Sequence, residues 1–306
     1  MNYLLLYRKI PKAMKLFFTF VFIVLLTGCA NDGVQNIQVG IDPDNTDVII
    51  NYDDPGIIFY KNFSEDAAGV YNEDALCNDW NCPSWNNGIS EHRASLVVED
   101  DLTVLSVLYP IDSFGSKNSG CQWKLQLEPY EELYFAYRIK FTESFDFKKG
   151  GKLPGLCGGT ANTGSNVPTG EDGFSVRMMW KANGEIIQYI YHIDQNQNLP
   201  YGDEFFWKDS NLQNVRFVPG KWYYAETRVT MNTLGKKDAT VQSWIDGTKV
   251  LDIQDLRFRT VQNLSIDILY FSTFFGGSDA SFAPEKNQFI YFDEFVVSTN
   301  SITHQE

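Results

Sequence analysis

Apolar and polar side chains alternate in short runs through most of the chain after residue 90. Leu133, Phe135, Tyr137, Ile139 and Phe141 fall on one face of an extended segment, with Tyr134, Ala136, Arg138 and Lys140 on the other. That period of two predicts a half-buried strand. Leu96–Glu99, Thr103–Tyr109, Phe174–Lys181, Glu185–Ile193 and Trp222–Met231 alternate in the same way. Val241–Ile245 runs into Asp246-Gly247, a strong hairpin signal, and Ser265–Phe275 and Phe289–Val297 read as late strands. Residues 62–87 read as loop-rich. No long stretch keeps a 3.6-residue period, and no helix separates successive strands, so a βαβ sheet is excluded. The pattern predicts an all-β fold, a two-sheet antiparallel sandwich or jelly roll, over residues 55–300.

The N-terminal residues read differently. Met14 and Lys15 precede an apolar run, Leu16–Leu26, too short to span a bilayer comfortably and of the kind seen in export signals. Leu26-Thr27-Gly28-Cys29 resembles the lipobox of bacterial lipoproteins, which implies lipidation at Cys29 and a membrane anchor. Residues 1–29 are thus expected to be a signal segment, with Met14 a possible true start. Residues 30–54 form a polar, acidic stretch expected to be a tether. Asp42–Asp47 lacks the glycine and distal glutamate of an EF-hand loop. The implied location is the bacterial cell envelope, at the outer membrane or cell surface.

Charge narrows the partners. A net charge of −14 over 306 residues argues against nucleic acid. It also means that any anionic ligand needs a local cationic groove, which Lys148, Lys149, Lys152, Arg177 and Lys181 could supply. With Cys29 set aside, Cys77, Cys82, Cys121 and Cys157 remain, an even number in an exported chain. Of three connectivities, the expected one pairs Cys77 with Cys82 and Cys121 with Cys157. A zinc site is not expected, since no C-x-x-C pair exists and the chain has 3 histidines. No metal or cofactor is expected, and a monomer is.

Gly150-Gly151-Lys152-Leu153-Pro154-Gly155-Leu156-Cys157-Gly158-Gly159 carries little side chain beyond one lysine. It reads as a glycine-rich loop that places Lys152, or as a tight connection with Lys152 merely solvated; it is not a phosphate loop, lacking G-x-x-x-x-G-K-[ST]. The hairpin around Ala182-Asn183-Gly184 leaves two registers open. A two-residue turn sets Arg177 opposite Ile190 and gives the cleaner apolar pattern. A three-residue turn with left-handed Gly184 sets Arg177 opposite Tyr189 and Ser175 opposite Tyr191, all on one surface.

The glycine-rich stretch closely resembles the G-G-K-L-P-G-L segment of the family 14 polysaccharide lyases, which cleave polyuronates such as alginate or glucuronan. The resemblance continues in a serine and an arginine two apart (Ser175, Arg177), in Tyr189-x-Tyr191, and in the late Phe274-Phe275-Gly276-Gly277. It spans roughly Tyr109 to Val297. Near its start Ile111-Asp112 stands where a basic residue is expected, which removes one substrate contact. The resemblance favours the shared-face register. It implies a jelly roll and a site of Lys152, Ser175, Arg177, Tyr189 and Tyr191, with Lys149 and Lys181 as further contacts for an anionic polysaccharide.

A polyuronate lyase removes the C5 proton of a uronate and expels the 4-linked oxygen. The proton becomes acidic when cations neutralise the adjacent carboxylate, a part that Lys152 and Arg177 can play. A base and an acid are also needed, and Tyr189 and Tyr191 can serve as them, with neighbouring cations expected to favour the phenolate. Lys152 is an alternative base. Ser175 is expected to bind or orient, with no paired histidine to activate it. His92 and His192 are expected to be packed or surface residues, and His304 a frayed-end residue. A sandwich glycoside hydrolase is disfavoured, because E-x-D-x-x-E is absent and Asp293 and Glu294, being adjacent, should face opposite ways. The competing reading is a non-catalytic carbohydrate-binding surface lipoprotein, using aromatics such as Trp80, Trp85, Trp207 and Trp244.

Overall fold

The computed structural model describes residue 48, residues 50–196 and residues 198–304. The expectations placed on residues 1–29, Cys29 included, and on most of the 30–54 stretch lie outside the described residues. Ile50 and Tyr52, from the end of that stretch, pack on the domain, and the Tyr52 hydroxyl donates to Glu294 at 2.8 Å.

Two antiparallel sheets face each other. The first runs β14 (Thr248–Leu256), β13 (Ala239–Ile245), β12 (Trp222–Thr230), β7 (Glu132–Phe141), β16 (Gln288–Ser298), β5 (Leu102–Tyr109), β4 (Ala94–Glu99), β2 (Gly69–Val70), with β1 (Ile57–Lys61) also on β16. The second runs β11 (Asp203–Phe206), β10 (Ile186–Tyr191), β9 (Gly173–Lys181), β8 (Gly150–Gly159), β15 (Ile266–Phe275), β6 (Cys121–Tyr130), β3 (Asn86–Asn87). Neighbours in each sheet come from distant parts of the chain, as in a jelly roll. The core between the sheets is strongly aromatic. Trp180, with no exposed surface, meets Tyr109, Phe141, Phe145 and Phe275 edge-on.

Several local expectations change. β7 is buried on both faces, because Tyr134 and Ala136 are covered by Trp244, Val296 and Ile302. The loop-rich segment contains a helix, α1 (Glu73–Asp79), whose Asn72 side chain caps Ala75 N–H. Cys77 and Cys82 form the expected disulfide across its end. Cys121 and Cys157 do not pair; both are free and buried. They sit on β6 and β8, with β15 between, opposite Thr273 and Ile268 respectively. Two strand spacings, about 9–10 Å, exceed any disulfide reach.

The glycine-rich stretch is a central strand, β8, between β9 and β15. Its glycines permit close packing: a Cβ on Gly151 would lie 2.0 Å from the Trp180 ring. Pro154, which has no N–H for the ladder, falls where the register to β9 shifts between Lys152 and Gly155. Residues 302–304 are also held in place. The ring of His304 stacks on Trp244 at 3.9 Å, and its Nδ1 lies 3.2 Å from Glu226. Buried Glu226 further accepts the N–H groups of Ile302 and Thr303 at 2.9 and 2.8 Å. On β16 a bulge follows Asp293, with Glu294 at φ 50°, so the simple alternation expected there fails. Glu294 pairs with Arg138 at 3.4 Å, while Asp293 accepts Phe63 N–H at 3.2 Å. These two carboxylates are structural partners.

Candidate active site

The turn between β9 and β10 decides the site. Asn183 and Gly184 both take positive φ, 60° and 76°, and Lys181 N–H reaches Glu185 C=O at 2.7 Å. A side chain at Gly184 would meet Phe217 C=O at 2.5 Å, so glycine is required. The three-residue turn therefore holds. Arg177 lies opposite Tyr189 and Ser175 opposite Tyr191. Val176, Met178 and Trp180 fill the core, which leaves Arg177, Tyr189 and Tyr191 on the outward face of the second sheet. Lys152 stands opposite Met179 and shares that face.

The five residues divide into two groups. Lys152, Tyr189 and Tyr191 form the first. Lys152 Nζ sits 3.8 Å from the Tyr189 ring centroid and 2.7 Å from Met179 Sδ. The two tyrosine rings are perpendicular, with hydroxyls 3.3 Å apart. Tyr191 donates its proton to Gly164 C=O at 2.8 Å, and Gly202 N–H donates to the Tyr189 oxygen at 3.2 Å. With the Tyr191 proton committed, Tyr189 is the donor of the resting pair.

Arg177, 2 % exposed, belongs to the second group. Its Nη1 donates to Ser272 Oγ at 3.2 Å, and its guanidinium lies 5.5 Å from the Tyr270 centroid. Its Nε is buried without a hydrogen-bond partner among the described residues. Gln122 Oε1 accepts from Tyr270 OH and Ser272 Oγ at 2.9 and 3.1 Å, which fixes both. Ser175 is fully buried and donates to Asn162 C=O at 2.7 Å. It and Tyr191 together pin the segment between β8 and β9, a positioning task. Asn162 is in turn tied to Asp172 at 2.9 Å.

Burial governs the protonation of the site. It lowers the Lys152 ammonium well below its usual value, and the Arg177 charge lowers it further. Burial also raises the Tyr189 phenol, and the contact with Tyr191 adds to this; Arg177 opposes weakly. The expected easing toward phenolate is thus reversed in the free enzyme: desolvation outweighs the cations.

Other expected residues are placed less centrally. Lys181 is paired with Glu204 at 2.8 Å, and Lys149 Nζ lies 5.4 Å from the Phe282 ring. Lys148 pairs with Glu285 and Asp146. His192 is buried and points to Asp203 at 2.9 Å, away from Arg177, and burial lowers its pKa. Trp80, Trp207 and Trp244 are buried, whereas Trp85 is 46 % exposed. Among the described residues, no group of three or more His, Cys, Asp or Glu side chains is placed to hold a metal ion. Gln122, Tyr270 and Ser272 were not singled out from sequence. Their signal was present, since Tyr270 and Ser272 alternate with core Leu269 and Phe271.

In this chain of net charge −14, the outward face holds Lys152, Arg177 and Lys124 with no carboxylate ion pair among the described residues. A buried guanidinium with a free N–H, a lysine of lowered pKa and a pair of phenols can together bind a carboxylate and move a proton.

The chain is similar to known proteins. Aly36B, an alginate lyase, is 27 % identical over 82 % of this chain and 99 % of its own, with a TM-score of 0.68. A lysine and tyrosine double-alanine variant of Aly36B in complex with an alginate tetrasaccharide gives 26 % identity, the same coverage and a TM-score of 0.69. The marine alginate lyase from Aplysia kurodai, at 23 % identity, shares the fold, covering 80 % of this chain and 99 % of its own at a TM-score of 0.65. No curated protein matches the chain. The polysaccharide lyase 14 family model matches residues 98–295, more than half of the chain, and the site just described lies within that span: the chain belongs to the polysaccharide lyase 14 family and is a polysaccharide lyase.

Proposed function

We propose that the chain cleaves a 4-linked polyuronate, alginate in the first instance, by β-elimination. The observation that carries this is the convergence of Lys152, Arg177, Tyr189 and Tyr191 on one face of the second sheet, with unpaired positive charge. The alginate-bound neighbour supports the substrate class.

The uronate carboxylate is neutralised by Lys152 and by the charge of the buried Arg177 guanidinium. The arriving anion restores the Lys152 ammonium, because an opposite charge favours the protonated form. Neutralising the carboxylate lets the C5–H bond break. One tyrosine of the pair, its phenolic proton released to solvent beside the restored ammonium, accepts the C5 proton as a phenolate, electrons form the C4–C5 double bond, and the C4–O bond breaks. The second proton transfer, from the same pair, goes to the departing oxygen. Gly202 N–H and the Lys152 ammonium stabilise negative charge on Tyr189 while it forms. No water enters the bond change, so the products are a new reducing end and a 4,5-unsaturated uronate.

The lipobox-like Leu26–Cys29 further supports anchoring of the enzyme at the bacterial cell envelope, where extracellular polymer is met. Metabolic labelling with a fatty acid, lost in Cys29→Ala, tests the anchor. The lyase reading is tested by incubating residues 30–306 with polymannuronate, polyguluronate, glucuronan and a neutral glucan. The ultraviolet absorbance of the conjugated C4–C5 double bond is followed. A rise on a polyuronate and not on the glucan is expected; a flat trace on all four, with binding to one, would favour the carbohydrate-binding alternative.

A further inference from the structure

The outward face does not end at Arg177. The Tyr270 ring, held by Gln122 through its hydroxyl, has Arg177 5.5 Å away and Lys124 Nζ 5.2 Å away. Trp85 meets the same ring at 6.5 Å, inclined by 67°. Register explains the placement. Trp85 immediately precedes β3, where Asn87 pairs with Gln122; Trp85, Asn87, Gln122 and Lys124 therefore share the outward face. Trp85 is 46 % exposed even with its ring against Tyr270, so much of the indole stays accessible. Lys124 spends one donor on Thr160 C=O at 3.2 Å and has no carboxylate partner among the described residues. The nearby Asp267 carboxylate instead receives Gly159 N–H at 3.0 Å.

We propose that Trp85, Tyr270 and Lys124 form an outlying subsite that holds a uronate residue of the polymer away from the scissile linkage. An exposed indole offers stacking to the C–H side of a sugar ring, and Lys124 offers a cation to its carboxylate. The subsite lies on the β15–β6–β3 side of Arg177, about 4.8 Å further per strand crossed. A polymer crossing the strands from Tyr189 and Arg177 reaches it within a few residues. The proposal rests on the polyuronate reading, and it predicts that chain length beyond the reacting unit is recognised here.

The test uses the full folded chain and defined oligouronates of increasing length, with Trp85→Ala, Trp85→Phe and Lys124→Gln. Turnover is read by ultraviolet absorbance and affinity by calorimetry. For long oligomers Trp85→Ala raises KM and Kd roughly 3- to 10-fold, a change of the size that one aromatic contact supplies. It leaves kcat on the shortest cleaved oligomer unchanged, and Trp85→Phe recovers most of the loss. Lys124→Gln weakens binding of the uronate oligomer but not of its carboxyl-reduced form. KM and Kd that Trp85→Ala leaves unchanged at every length overturn the subsite. If wild type eliminates on no polyuronate, the lyase reading fails separately, and the calorimetric comparison of wild type with Trp85→Ala still decides the subsite.

Discussion

Lys152 Nζ lies 3.8 Å from the centre of the Tyr189 ring, and both side chains are displaced from their ordinary protonation in opposite senses by the same burial. The free enzyme thus keeps a lysine that readily sheds its proton beside a phenol that holds its own. In the proposed reaction a substrate carboxylate reverses the first of these.

The first prediction concerns pH. A lysine lowered below its unfolded value binds protons less readily in the folded state. Between the two values the unfolded chain holds more protons, so wild-type stability rises with pH across that window. Lys152→Met, of similar length and uncharged, should remove this slope. It should also gain about 1 kcal/mol at neutral pH, roughly 2–4 °C in Tm, while turnover is lost. Thermal unfolding over a pH series checks it, and a variant with the wild-type slope would rule it out.

Activity should respond to the same group. If Lys152 neutralises the substrate carboxylate as an ammonium, kcat/KM falls as pH rises through its lowered pKa, well below the usual lysine range. A rise with pH through that region would instead assign Lys152 as the base.

Tyr189→Phe and Tyr191→Phe should each lower kcat by about 10²- to 10⁴-fold, the usual weight of a positioned acid or base. Their consequences for structure differ. Both lose the bond between the two hydroxyls; Tyr191→Phe also frees Gly164 C=O and should cost about 1 kcal/mol more, whereas Tyr189→Phe also frees only the exchangeable contact with Gly202 N–H. Steady-state kinetics paired with denaturant unfolding separates the two.

Ser175 donates to a backbone carbonyl and touches neither Lys152 nor a histidine. Ser175→Ala should therefore cost roughly 1–3 kcal/mol through the unsatisfied Asn162 C=O, with turnover reduced and not abolished. Complete loss of kcat in a folded variant would give the hydroxyl a direct chemical part.

Gly151→Ala should be among the most damaging single-methyl changes in the chain. Its Cβ would enter the space of the Trp180 ring, at a cost of about 1–3 kcal/mol or more. At the other end of the domain, Glu226→Ala should release residues 302–304 from four hydrogen bonds and lose about 3 kcal/mol. Limited proteolysis of the C-terminus reads the second effect, and a protected terminus would contradict it.

How much was legible follows from which interactions are local. The alternation in 133–141 and 174–181 sets strand and face, because side chains on a strand alternate whatever surrounds them. The family motif pointed to Lys152, Arg177 and the two tyrosines. The hairpin register was undecided by pattern alone. It depended on whether Gly184 turns left-handed, and contact with Phe217, 33 residues away, requires the glycine there.

The sequence by itself thus determined the all-β class and most strand positions, and pointed to the local disulfide Cys77–Cys82 and to the residues of the proposed chemistry. Tertiary structure alone decided which strands are neighbours. It set β15 between Cys121 and Cys157, leaving both thiols free, and made a glycine-rich stretch a central strand by pressing it against Trp180. It also brought Gln122 and Ser272, 150 residues apart, to 3.1 Å beside Arg177. Strand pairing and desolvation are sums over the whole fold, and no local pattern carries them.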